Sequence, residues 1–143
     1  MKSEKIIDYL NSQWPPSVLT IGGKAKGYNI KNQTLEMTFN AKPIFCHSKD
    51  IVQGGYISGM LDAVMAYTVI GLPTAKVMVS TLELKVSFIS AGHPGLLTAK
   101  GKIIHLGRSI GFLSGELFQN EKLIAMGTST VKILYDEKKI SIY

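Results

Sequence analysis

Asp62 is the only charged residue between positions 56 and 70, a run otherwise made of apolar, small and uncharged polar residues. At ~100° per residue around an α-helix, Ile57, Met60, Leu61, Val64 and Thr68 share one face. Gly59, Ala66 and Val69 fall on the other side, with Asp62 among them. A surface helix carries several charges on its outer side, whereas this one carries a single carboxylate. The pattern predicts a helix covered on nearly all sides, partly by its own sheet and partly by a second subunit. A carboxylate in that setting is costly unless it is paired or hydrogen-bonded. Asp62 therefore either accepts structural hydrogen bonds at a wet interface edge, or serves as a general base or nucleophile.

Gly54-Gly55 stands directly before this run, eight residues from Asp62 counted from Gly54. The first backbone amides of a helix lack intrahelical partners, and the helix dipole favours negative charge there. Glycine lets a ligand approach such a backbone closely, which is one way to build an oxyanion hole without a side chain. A tight turn needing positive φ would use the same pair. The informative feature is the combination of a glycine-rich helix start with a carboxylate two turns on.

The elements that would position these groups follow from pattern and punctuation. Residues 3–13 form an amphipathic helix with Ile6, Ile7 and Leu10 on one side, stopped at Trp14-Pro15-Pro16, since proline lacks an amide hydrogen and restricts its predecessor. Two strands are expected at roughly 18–30 and 33–40, turning at Lys31-Asn32, then a polar loop over 41–55. The long helix spans 56–70, ended by Gly71 and Pro73. Beyond it, Leu82, Leu84, Val86 and Phe88 alternate with Thr81, Glu83, Lys85 and Ser87, a strand with one face on a core. Further strands are read at 96–107, 109–119 and 122–134, with turns at His93-Pro94-Gly95 and Asn120-Glu121, and a polar tail from Tyr135. A sheet of this size must cover its apolar face, and only the central helix is long enough. The expectation is an α+β fold, a curved antiparallel sheet wrapped around one long helix, as a single domain over residues 1–143.

Composition narrows the partners. With 45% hydrophobic and 18% charged residues among 143, the chain can enclose a core and is not a disordered polymer. One cysteine, Cys46, excludes an intrachain disulfide and suits a reducing compartment. No apolar stretch near the N-terminus resembles a signal or a membrane span, so a cytoplasmic location without membrane attachment is expected. The net charge of +6 favours anionic partners. Its lysines, such as Lys24, Lys49, Lys76 and Lys100, are scattered rather than interleaved with aromatics, which argues against nucleic acid. No spacing suggests a zinc site.

The segment Val52-Gln53-Gly54-Gly55-Tyr56-Ile57-Ser58-Gly59-Met60-Leu61-Asp62-Ala63-Val64-Met65-Ala66 resembles the helix motif of the PaaI-type hotdog-fold acyl-CoA thioesterases. The segment from Thr81 to Ala91 is similar to the strand that follows it, and Gly107-Arg108-Ser109 to the family's strand turn near the CoA phosphates. The resemblance covers roughly residues 30–134. It implies that Asp62 is the catalytic carboxylate, attacking the thioester or activating water. It implies that the Gly54 amide, with Gly55 adjacent, polarises the thioester carbonyl. Thr81 would orient water or carboxylate, with Ser80 taking that place if the register shifts by one. The family's site lies between two protomers, so a homodimer or homotetramer is implied, with no cofactor because CoA is part of the substrate. For the CoA phosphates Arg108 is the first choice, bidentate binding being its strength, with Ser109 beside it and Lys85 and Lys102 as further candidates.

Two positions depart from the pattern. Gln53 stands where the family commonly has His, and it cannot titrate near neutral pH. His47 stands six residues earlier, where the family often has Asn or Gln near the thioester oxygen. Two alternatives remain open: a hotdog 3-hydroxyacyl-thioester dehydratase using His47 and Asp62 as its acid–base pair, and an acyl-CoA-binding module without turnover. The first is weakened by the absence of prolines between His47 and Val52.

Overall fold

The computed structural model describes residues 2–73 and 77–135. In chain order these residues form α1 (Ser3–Ser12), α2 (Pro16–Thr20), β1 (Lys24–Asn29), β2 (Thr34–Ala41), a 3-10 turn at Pro43–Phe45, α3 (Gly54–Ile70), β3 (Val77–Phe88), β4 (Gly95–Leu106), β5 (Ile110–Gln119) and β6 (Lys122–Tyr135). The strands make one antiparallel sheet in the order β1-β2-β4-β5-β6-β3, and α3 lies across one face of it. This is the hotdog arrangement expected from the resemblance. Leu61, Val64, Met65 and Thr68 of α3 are fully buried against Leu97, Ala99, Leu113, Leu117 and Val131 of the strands.

The helix can lie that close because of a row of glycines. Gly101 of β4 pairs with Gly115 of β5, which pairs with Gly127 of β6. A side chain at Gly101 would collide with Thr68 Oγ1 and the Val64 carbonyl, and one at Gly115 would press on Leu61 and Met65. Missing Cβ atoms on adjacent strands thus form the trough in which α3 is seated.

Four local expectations change. The strand read over residues 18–30 is shorter, because Pro16 opens the one-turn helix α2 before the chain enters β1 at Lys24. Proline fits the first turn of a helix, where its missing amide costs nothing. The long helix begins at Gly54 rather than at residue 56, with both glycines inside its first turn. Leu82 does not share the core face of β3: the pairing with β6 slips between Thr81 and Glu83, making Leu82 an extra, bulged residue that is 57% exposed. A bulge inverts the alternation, so Thr81, Leu84, Val86 and Phe88 face the helix side, opposite Val131, Ser129, Gly127 and Ala125. Val69, placed beside Asp62 on the outer side, is instead fully buried.

β3 and β1 are the two edge strands, and among the described residues β3 pairs on one side only, with β6. Among the described residues no helix is long and apolar enough to cross a membrane. The tail expected from Tyr135 starts inside β6, and positions 136–143 lie outside the described residues.

Candidate active site

Asp62 sits one-half of the way along α3, on the side left uncovered by the sheet. Thr81 Oγ1 donates a hydrogen bond of 2.8 Å to its Oδ1. The bulge at Leu82 makes this contact possible: without the slip, Thr81 would lie on the face opposite Leu84. Ser80, the alternative partner, is exposed on the outer face. Asp62 itself is half-buried, and the neighbouring Gly55 and Gly59 are exposed. The helix is therefore not enclosed by its own chain along this stripe.

The start of α3 resolves which amide is free. Gln53 caps the helix, its side-chain Oε1 accepting from the Gly55 amide at 2.7 Å. The Gln53 carbonyl accepts from the Tyr56 and Ile57 amides at 3.0 and 3.4 Å. Of the first four amides only that of Gly54 has no acceptor among the described residues. Gly55, expected to assist it, is occupied by the cap. The Gln53 side chain acts here as an acceptor towards the backbone and, among the described residues, not as a donor.

Gly54 lines a cavity of roughly 390 Å³ together with His47, Ile51, Val52, Ile57 and Phe88. The Phe88 ring lies directly over the Gly54 Cα, leaving only 3.0 Å to where a Cβ would stand. His47 is exposed and pairs through Nδ1 with Ser48 Oγ at 2.7 Å. Its loop is pinned from below by residues the sequence reading passed over. His93 Nδ1 contacts the Asp50 carbonyl at 2.8 Å, and Gln119 exchanges two 2.8 Å hydrogen bonds with the His93 backbone. A His, an Asp and a Gln separated by tens of residues give no local signal.

Asp62 lines a different cavity, of roughly 300 Å³, between α3 and α2. Aromatic pairs hold both its ends: Tyr56 stacks on Phe45 at 4.3 Å, and Tyr67 meets Trp14 edge to face at 4.7 Å. Burial pushes the Tyr67 phenol pKa above its ordinary value. Gly54 and Asp62, eight residues apart on one straight helix, are separated by ~12 Å along its axis. One chain therefore cannot bring both to a single carbonyl group.

The remaining candidates are dispersed. Arg108 and Ser109 are exposed in the turn between β4 and β5, where Tyr135 Oη donates to the Arg108 carbonyl at 2.8 Å and the Ser109 carbonyl accepts from the Ile133 amide at 2.8 Å. The Arg108 guanidinium has no hydrogen-bond or ion-pair partner among the described residues. Lys85 and Lys102 project from the outer face of the sheet, at positions paired with Thr128 and Ser114. The structure separates them from Asp62 by the sheet itself, so they do not join the site within this chain.

The one-helix hotdog sheet points to the thioesterase class, with the helix-borne carboxylate and the free amide at the helix start as its candidate site. The chain belongs to the thioesterase superfamily, which it matches over residues 50–125. No curated protein sequence matches it significantly. Among solved structures it is similar to the phenylacetic acid degradation-related protein of Ralstonia eutropha, with 29% identity, 92% of this chain and 99% of that one covered, and a TM-score of 0.83. The PaaI protein of the Escherichia coli phenylacetic acid degradation operon shares the fold at 16% identity, 92% and 95% coverage and a TM-score of 0.80. A hypothetical thioesterase protein from Streptococcus pneumoniae, solved with coenzyme A, does so at 18% identity, 84% and 93% coverage and a TM-score of 0.74. The resemblance to PaaI-type hotdog thioesterases holds, and thioester hydrolysis is the class of chemistry.

Proposed function

We propose that this protein hydrolyses an acyl-CoA thioester to the free acid and CoA, at a site shared by two copies of the chain. The observation that carries the reading is the division of labour along α3: a carboxylate held by Thr81, and ~12 Å away the one unengaged amide of the helix start. In a symmetric dimer Asp62 of one protomer meets Gly54 of the other. The thioester oxygen accepts from the Gly54 amide, which stabilises the developing oxyanion. Asp62 takes a proton from water as that water adds to the carbonyl carbon, or adds to the carbon directly and is then released by water; Thr81 fixes its orientation for either route. The C–S bond breaks, and the CoA thiolate leaves and is protonated. His47, in the Gly54 cavity, is placed as an additional donor.

CoA as the leaving group is supported by the net charge of +6 and by the exposed Arg108, with Ser109 beside it, as the phosphate contact. The S. pneumoniae neighbour solved with coenzyme A points the same way. No cofactor is required, and a cytoplasmic location fits the lone Cys46. The dehydratase reading fares worse, since the loop from His47 to Val52 contains none of the prolines that mark dehydratases of this fold.

The test is thiol release from acetyl-, medium-chain, long-chain and aromatic acyl-CoAs by wild type and Asp62→Asn. Wild type is expected to turn over at least one of them, and Asp62→Asn to lose about a hundredfold or more in kcat with an unchanged melting temperature. Undiminished turnover in Asp62→Asn would overturn the mechanism. Saturable acyl-CoA binding without thiol release from wild type would make the protein a binding module.

A further inference from the structure

The lining of the cavity beside Asp62 bears on what fits it. Its walls are Val18 and Ile21 at α2, its floor Gly59 and Ala63 of α3, and Tyr56 and Tyr67 stand at its ends. Nothing lies within 4 Å of where a Gly59 side chain would project, so the cavity opens there. Asp62 is the only charged residue lining it. A phosphate or a charged acyl group finds no counter-ion inside, whereas an uncharged hydrocarbon finds apolar walls. The helix dipole places anions more favourably near Gly54 than towards the C-terminal turns, which leaves the Tyr67 end for the apolar part of a substrate.

Tyr67 lies five residues past Asp62, about 7.5 Å along the axis. It is not free to swing aside. Trp14 abuts the ring at 4.7 Å with an interplanar angle of 89°. Trp14 is itself tethered, its indole N–H donating to Asn11 Oδ1 at 3.1 Å. Asn11 in turn clamps β1, accepting from the Ala25 amide at 2.9 Å and donating to the Ala25 carbonyl at 3.1 Å. The stop is therefore anchored through α1 into the sheet.

We propose that Tyr67, braced by Trp14, is the end wall of the acyl site and sets the longest acyl chain that can bind with its carbonyl at Asp62. The proposal rests on the thioesterase reading for the placement of the carbonyl. One methylene that fits or fails to fit such a pocket changes kcat/KM by roughly 10–200-fold, so an end wall should produce a sharp limit in chain length.

The experiment measures kcat/KM for acetyl-, butyryl-, hexanoyl-, decanoyl- and palmitoyl-CoA in wild type, Tyr67→Ala, Tyr67→Phe and Ala63→Leu. The same series is titrated by calorimetry into each variant carrying Asp62→Asn. Wild type should show a length limit. Tyr67→Ala should raise the first chain beyond that limit by about tenfold or more relative to shorter ones. Tyr67→Phe should keep the limit, and Ala63→Leu should shorten it. Profiles that run parallel in wild type, Tyr67→Ala and Ala63→Leu overturn the proposal, as does a wild-type profile without a limit. If Tyr67→Ala does not fold, the direction of the Ala63→Leu shift decides. If no thioester is hydrolysed but the binding series shifts as described, the hydrolytic reading fails and the end wall stands. Absence of acyl-CoA binding overturns both.

Discussion

Among the described residues the side chain of Asp62 has a single hydrogen-bond donor, Thr81. That bond links the helix to an edge strand and holds the carboxylate in one orientation at a half-open site. A hydrogen bond to a charged group contributes ~1.5–3 kcal/mol, and the partial exposure of Asp62 reduces this. Thr81→Ala is therefore expected to lower kcat by about tenfold with little change in KM, and Thr81→Ser to restore most of it, measured by thiol release. Equal loss in both variants would place the effect in packing of the strand instead. The place of Asp62 on the long helix was legible in the sequence, because it is the lone charge in an apolar run. The side of β3 on which Thr81 lies was not legible, because a bulge at Leu82 leaves no mark in an alternating pattern. Nor was the use of Gln53 as a cap, since glutamine is not among the residues that usually take that place.

The helix and its sheet meet through the glycine row Gly101, Gly115 and Gly127. The individual glycines looked unremarkable in the sequence; only the strand register shows that they are neighbours beneath Leu61, Met65 and Thr68. Overpacking a close contact of this kind costs ~1–3 kcal/mol. Gly101→Ala should be the most damaging to the seating of α3, because it meets Thr68 Oγ1 and the helix backbone at Val64, whereas Gly115 meets only side-chain ends of α3 and Gly127 meets the Lys85 carbonyl of the neighbouring strand. We expect a lower melting temperature by several degrees and a displaced α3 that impairs turnover. Gly27→Ala, at a site with open space, is the control and should leave both unchanged. A proline-free run of helix formers made α3 readable, and turn residues the last three strands, each to within a few residues. The segment at Val18-Leu19-Thr20 read as strand because its residue types favour strands, yet Pro16 starts a helix there and tertiary packing of Val18 against Gly23 keeps it.

At the scale of the molecule, α3 presents the exposed stripe of Gly55, Gly59 and Asp62, and β3 has pairing capacity on its open edge. In the dimer proposed above, a second copy related by a two-fold axis would meet both and bring the partner's helix start towards Asp62. This can be tested by complementation. Gly54→Pro deletes the amide hydrogen while suiting the first helical position, and Gln53 already has the extended backbone (φ −63°, ψ 139°) that a following proline requires. The half-exposed Phe88 ring above Gly54 can yield to the proline ring. Gly54→Pro alone should lose ~10²–10³ in kcat, as expected for an oxyanion donor, and Asp62→Asn alone should also be nearly inactive. Refolded together, half of the randomly formed dimers are mixed. Each mixed dimer has one site combining an intact Asp62 with an intact Gly54, and one site lacking both. Recovery of about a quarter of wild-type activity is then expected from the two-fold symmetry. If carboxylate and amide served the same substrate from within one chain, every site would lack one of them and mixing would restore nothing.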